Sequence, residues 1–139
     1  MTNFKGTREA FAAAMMDMAE ERKDIVVISP DSLKAMRAVP FGEKYPDRYL
    51  ECGIAEQGAV DAAAGLASAG LTPFIGTYCG FLTMRACEQM RTFVGYTNLN
   101  VKFVGVNAGL LGGEREGVTH QFYEDLGIVS SMPNYTIFT

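Results

Sequence analysis

The 139-residue chain has one histidine, His120, and only three cysteines, Cys52, Cys79 and Cys87, with no Cys-x-x-Cys spacing. Neither a disulfide framework nor a zinc site is expected from so sparse a set, and reduced, packed thiols are the expectation. Runs of Lys or Arg are also missing. Twelve basic against sixteen acidic residues leave a net charge of −4, which argues against nucleic acid or an anionic membrane surface as a partner. The longest apolar tract, Gly58 to Phe74, contains Asp61 and is rich in Gly and Ala, too short and weak to span a bilayer. The first residues, Met-Thr-Asn-Phe-Lys-Gly, contain no hydrophobic signal region, so a cytoplasmic location is expected. Internal repeats and low-complexity tracts are not visible.

What is present is the composition of an ordinary globular domain, 48% apolar and 20% charged, at a length that fits one domain able to bury a core unaided. Thr7, as N-cap, opens an amphipathic helix to Glu21, with Phe11, Met15, Met18 and Ala19 on one face. Asp24 to Ser29 is an uninterrupted aliphatic run, the pattern of a strand buried on both faces. A polar segment interrupted by Pro40, Gly42 and Pro46 follows and is expected to be a long surface connection. Tyr49 to Gly53 is a second strand, Glu56 to Ala69 a helix of small residues closed by Gly70, Thr72 to Thr77 a third strand, and Gly80 to Thr92 a helix ended by Gly95. Asn100 to Val106 reads as the next strand, Gln121 to Ile128 as a short helix, and Tyr135 to Thr139 as a last strand. Strands alternating with helices predict a three-layer α/β/α fold around a mainly parallel sheet.

The unusual residues then gather at the carboxyl edge of that sheet, where ligands bind in open parallel sheets. Asp31 follows the first strand and Glu56 stands where the second hands over to its helix. Tyr78 and Phe81 follow the third. Beyond the fourth lies a glycine-rich loop, Asn107 to Gly117, and then His120. That loop can wrap a ligand with its backbone, yet it contains neither Gly-x-x-x-x-Gly-Lys-Ser/Thr nor Gly-x-Gly-x-x-Gly, so the common nucleotide motifs are excluded. A lone Glu at a helix start is ordinarily an ionised cap. Beside two aromatic rings, a carboxyl group can exchange a proton with a ring nitrogen, which implies a flat, basic heterocycle as the ligand.

Gly53-Ile54-Ala55-Glu56-Gln57, Thr77-Tyr78-Cys79-Gly80-Phe81-Leu82-Thr83, Ala108-Gly109-Leu110 with Val118-Thr119-His120-Gln121, and Met132-Pro133-Asn134 occur in that order. In order and spacing they resemble the pyrimidine-binding domain of transketolase over almost the whole chain. The resemblance implies the thiamine-diphosphate-binding pyrimidine-domain fold. It also implies that Glu56 bonds the aminopyrimidine nitrogen of thiamine diphosphate as the catalytic proton relay, that Phe81 and Tyr78 stack on the ring, and that Asp31 lies near the cofactor. His120 would contact the substrate and act in catalysis, and Arg8 would bind a sugar phosphate. The activity implied is transfer of a two-carbon ketol unit from a ketose to an aldose.

Three positions depart from the family pattern. Asn107 stands where yeast-type transketolases carry a substrate-binding histidine, Met84 where a tyrosine or arginine is common, and Glu114-Arg115-Glu116-Gly117 is one residue longer than the usual Gly-Glu-Asp-Gly. No Gly-Asp-Gly with a downstream Asn occurs either. By the resemblance, then, the diphosphate and Mg²⁺ belong to a partner subunit or domain, no metal is bound by this chain, and a homo-oligomer or heterotetramer is expected. Residues 1–139 correspond to a single pyrimidine-binding domain, without the last helix and strand and the C-terminal domain of full-length relatives. The alternatives are a domain like that of 1-deoxyxylulose-5-phosphate synthase, and a non-catalytic dimerisation or binding module.

Overall fold

Ile25, Val26, Val27 and Ile28 form the heart of β1 (Ile25–Ser29), in which every residue but Val26 is buried. In this computed structural model, which describes residues 6–110 and 116–139, β1 is flanked on both sides by parallel neighbours. β2 (Tyr49–Glu51) pairs along one side, with Ile28 opposite Leu50. β3 (Thr72–Tyr78) pairs along the other, with Val27 opposite Phe74. β4 (Lys102–Val106) joins β3 and completes the order β2-β1-β3-β4. All four strands run the same way, so Ser29, Glu51, Tyr78 and Val106 end at one edge. The order reverses between β1 and β3, and that reversal opens a crevice at the carboxyl edge.

Alternate residues of each strand supply two cores. Ile25 and Val27 pack with Met15 and Ala19 of α1 (Thr7–Glu21) and with Phe41 of α2 (Val39–Lys44). Ile28 and Ile75 face the opposite way, toward Ala59, Val60 and Ala63 of α3 (Glu56–Ser68) and toward Leu82, Ala86 and Met90. Helices therefore cover both faces of the parallel sheet, and the architecture is the expected three-layer α/β/α. The alanines of α3 that face the sheet let its backbone approach closely. Each larger apolar side chain buried here stabilises the fold by about 1.5–3 kcal/mol. α3 stops where Gly70 adopts φ +91°, with its N–H donating to Ala67 and that of Leu71 to Leu66, a helix end that a glycine favours.

Several sequence expectations are corrected. α1 has the expected limits, but its N-cap is Gly6 and no side chain caps it; Thr7 is already helical. The connection after β1 contains α2 and a 3₁₀ turn, Pro46–Arg48, because Pro40 and Pro46 lie at helix starts, where the missing N–H leaves no bond unmade. The helix expected from Gly80 to Thr92 is a π-helical turn, Phe81–Arg85, a short α4 (Cys87–Gln89) and a second π-helical turn, Met90–Gly95. Tyr135 to Thr139 forms no strand. Instead the tail serves that irregular helix: the Tyr135 hydroxyl donates to the Met90 carbonyl at 2.9 Å and Asn134 Nδ2 to that of Gly95 at 2.9 Å. The helix expected over Gln121 to Ile128 forms later, as α5 (Asp125–Ser130), after a 3₁₀ turn at Val118–His120. Gly112, Gly113, Glu114 and Arg115 lie outside the described residues. Among the described residues, no helix is long and apolar enough to cross a membrane.

Candidate functional site

Glu56 is the first residue of α3, reached from β2 through a tight turn in which Gly53 adopts φ +64° and its carbonyl accepts from the Ala55 N–H at 2.8 Å. Its side chain is only 6% exposed, and a carboxylate so buried needs a compensating partner. That partner is Arg85, whose Nη1 lies 2.8 Å from Glu56 Oε1. The same guanidinium sits over the Phe81 ring, 3.7 Å from its centroid, within cation–π range. Gln57 Nε2 donates to the Arg85 carbonyl at 3.0 Å and ties the π-helical turn to the start of α3. An open cleft of about 470 Å³ runs along this junction, lined by Ile54, Ala55, Glu56, Gln57, Gly58 and Arg85.

Phe81 also belongs to an aromatic cluster. Tyr78, the last residue of β3, lies 5.6 Å from it between centroids, and His120 meets Phe81 at 4.8 Å and Tyr78 at 4.7 Å, both in edge-to-face contact. The His120 Nδ1 and the Thr119 hydroxyl are 3.0 Å apart. Behind them the buried Phe122 packs edge-on against Phe81 at 5.7 Å and lies directly over Gly80, where a side chain would have no room. Tyr78, Phe81 and His120 thus form one cluster, and Glu56 is joined to it through Arg85.

The other expected site residues have different partners. Arg8 Nη1 donates to the Ala35 carbonyl at 3.3 Å. Asp31 adopts φ +53°, and its N–H donates to Glu51 Oε1 at 2.7 Å. Among the described residues, neither hydrogen-bonds to the aromatic cluster. Asn107, at φ +52°, follows β4 and leads to Gly109, whose N–H donates to the buried Asp125 carboxylate at 3.0 Å. Gly109 in turn accepts from the Phe122 N–H at 3.0 Å, so the loop after β4 is fastened beside the cluster. The three cysteines are free and half-buried. Burial pushes the Cys79 thiol up to about 12, assisted by the charge of Asp125, which makes it a packing residue rather than a nucleophile. No group of three or more His, Cys, Asp or Glu residues among the described ones could hold a metal ion.

Two residues escaped the sequence reading. Arg85 follows Phe81 by four positions, the spacing at which helical side chains meet, and that spacing was the available signal. Glu51 ties the turn after β1 to the turn after β2: Oε1 accepts from the Asp31 N–H and, at 2.9 Å, from the Gly53 N–H, while Oε2 accepts from the Tyr49 hydroxyl. Partial burial pushes the Glu51 carboxyl up, but the Tyr49 hydroxyl and the two N–H groups together hold it below its ordinary value. No short-range pattern marks it.

A buried carboxylate opposite an aromatic face can receive a flat group that is cationic or presents an N–H, and Arg85 is such a group within the chain itself. The arrangement therefore fits a protonatable heteroaromatic ring. The chain matches the family described as "Transketolase, pyrimidine binding domain" over residues 5–139. It is 33% identical over 134 residues to a putative transketolase C-terminal section from Methanocaldococcus jannaschii, covering 96% of this chain and 42% of that protein. It is 42% identical over 127 residues to a 1-deoxy-D-xylulose-5-phosphate synthase from Brevibacillus brevis, covering 91% of this chain and 20% of that protein. A solved structure described as a split gene transketolase, inactive beta4 tetramer, superposes with a TM-score of 0.77 at 35% identity, over 92% of this chain and 40% of that one. The chain thus spans less than half the length of each of these relatives.

Proposed function

The chain belongs to the transketolase pyrimidine-binding-domain family, and on that basis we propose that it is the pyrimidine-binding half of a thiamine-diphosphate-dependent transketolase, inactive without a diphosphate-binding partner. The observation that carries this reading is that the buried Glu56 carboxylate and the Phe81 ring share one planar cation, the Arg85 guanidinium. Thiamine diphosphate, when bound, supplies the carbon nucleophile and electron sink for moving a two-carbon ketol unit from a ketose to an aldose. Glu56 hydrogen-bonds a ring nitrogen and holds or returns a proton there. Phe81 and Tyr78 pack on the ring faces and keep water from them. His120, set against both rings, contacts the substrate, with Asn107 at the adjacent strand end. Arg8 binds the phosphate of the sugar, and Asp31 supports the turn beside the cofactor. The diphosphate and Mg²⁺ are held by a partner subunit or domain, in a homo-oligomer or heterotetramer.

The 42% identity to a 1-deoxy-D-xylulose-5-phosphate synthase favours a second reading, in which a 2-oxo acid loses its carboxyl group as CO2 and the remaining two carbons, with a methyl in place of the hydroxymethyl, pass to the aldose. One reconstitution tests both. The chain is mixed with its cognate diphosphate-binding subunit, thiamine diphosphate and Mg²⁺, then given an aldose phosphate with either a ketose phosphate or a 2-oxo acid. Ketol transfer only in the complete mixture is the expected result. Formation of the 1-deoxy sugar instead would favour the second reading, and assembly without turnover of either donor would leave a non-catalytic binding module.

A further inference from the structure

Arg85 holds the ring position with the two contacts that a bound heterocycle would need: one to the Glu56 carboxylate at 2.8 Å, the other to the face of Phe81 at 3.7 Å from its centroid. Tyr78, His120 and Phe122 meet Phe81 with interplanar angles of 52°, 73° and 76°, so none of these rings is stacked on it. A guanidinium is flat, cationic and rich in N–H donors, and so matches the outline and polarity of a protonated aminopyrimidine. The face it covers cannot hold a second flat group. We infer that Arg85 is an internal placeholder, which occupies the ring site in the cofactor-free chain and must swing out to admit the pyrimidine.

The surroundings are built for such a movement. The Arg85 side chain is 46% exposed, whereas Glu56 is 6% exposed, so the mobile member of the pair is the cation. Gln57 holds the backbone carbonyl of Arg85 and not its guanidinium, which leaves the side chain free to turn about its own bonds. While in place, Arg85 satisfies a carboxylate that would otherwise be buried and unpaired. When the ring replaces it, a ring nitrogen takes over that hydrogen bond and the guanidinium passes into water. The site exchanges one planar partner for another and never leaves Glu56 bare. The chain therefore resists the cofactor ring by the strength of the Arg85 contacts, and this residue sets the affinity of the site.

This inference rests on the pyrimidine-binding reading, and one titration separates the two. The probe is 4-amino-5-hydroxymethyl-2-methylpyrimidine, the ring without thiazolium or diphosphate, added to the isotope-labelled chain and followed by NMR. In the wild-type chain the Arg85 Nε–Hε signal should move toward that of a free side chain as the Phe81 ring signals shift. Arg85→Ala should bind the ring about tenfold more tightly, the size of an ion pair and a cation–π contact no longer displaced. Arg85→Lys, with a charge but no plane, should fall between, and Phe81→Ala should lose binding. Equal or weaker binding by Arg85→Ala, with binding still dependent on Phe81, would overturn the placeholder and leave the pyrimidine site standing. No binding by any variant would overturn both.

Discussion

The hydroxyls of Ser32 and Thr77 meet at 2.7 Å in the interior, joining the loop after β1 to the end of β3 one residue before Tyr78. Ser32 also donates to the Pro30 carbonyl at 3.1 Å, and its Oγ is therefore left to accept from Thr77. Both residues are buried, at 6% and 1% exposure. The bond thus closes the sheet edge at the point where the strand order reverses, and it fixes where Tyr78 leaves the strand. Thr77→Val keeps the shape and removes the donor. The expected cost is about 1 kcal/mol, read as a fall of about 4 °C in Tm for a chain of this size. A double-mutant cycle with Ser32→Ala should return a coupling of similar magnitude, whereas strict additivity would show that the contact contributes nothing.

Gly80 and Gly65 should respond oppositely to alanine. A Cβ on Gly80 would lie 2.0 Å from Cδ1 of Phe122, a ring that is 1% exposed and wedged against Phe81. Gly80→Ala should therefore destabilise the chain by about 1–3 kcal/mol through overpacking, and Phe122→Leu in the same chain should recover part of that loss. Gly65 lies inside α3 with open space where a Cβ would go. Its replacement by alanine should stabilise the chain by about 0.5–1 kcal/mol through helix propensity. Denaturant midpoints compare them directly, and equal shifts for the two variants would contradict the packing described.

Acid should weaken the fold in a defined window through Asp24. The Arg22 guanidinium donates to both of its carboxylate oxygens and the Thr72 hydroxyl donates to one at 2.7 Å. Arg22 first, then Thr72, pull the Asp24 carboxyl from its ordinary 3.8 to about 2. The unfolded chain then binds a proton that the folded chain refuses, so this contribution is fully present above about pH 4 and is lost as pH falls toward 2. Urea midpoints measured across that range should drop more steeply for the wild-type chain than for Asp24→Asn. Parallel curves would place the acid sensitivity elsewhere.

Glu56, Tyr78, Phe81 and His120 were expected at one edge because Tyr78 closes β3 and the others follow a strand's carboxyl end, and a parallel sheet sends all such ends the same way. The core strands were legible for a related reason: a run such as Ile25 to Ile28 is stable only when covered on both faces. Arg85 was not legible as a member of the site. Its spacing from Phe81 accounts for the contact with that ring, but its pairing with Glu56 depends on how closely the start of α3 approaches the Phe81–Arg85 turn, a tertiary distance that no spacing records. Met84, one of the three positions that depart from the family pattern, is 42% exposed, and its neighbour Arg85 carries the contact. The π-helical turns were hidden as well, since Phe81, Met84, Cys87 and Met90 recur every three residues, a spacing that reads as one face of an ordinary helix. Tyr135 to Thr139 has the aromatic and β-branched composition of a strand. Its tyrosine and the neighbouring Asn134 are instead drawn to the carbonyls of Met90 and Gly95.

Replacing Glu56 by glutamine separates its structural part from its chemical one. The amide oxygen can still accept from Arg85, and the shape of the side chain is kept, so Glu56→Gln should assemble with the partner subunit and unfold within about 1 kcal/mol of the wild-type chain. An amide cannot hold and return a proton, so turnover of the reconstituted enzyme should fall by at least about 100-fold, the lower end of what a positioned acid–base group contributes. Glu56→Asp retains the titratable group but draws it back by one methylene, and should lie between the two. Binding of the bare pyrimidine ring, measured alongside, distinguishes a lost proton relay from a lost ligand: the relay predicts that turnover falls much further than ring affinity. If turnover of Glu56→Gln stays within a few-fold of the wild type, Glu56 is a helix-end carboxylate that pairs with Arg85 and nothing more.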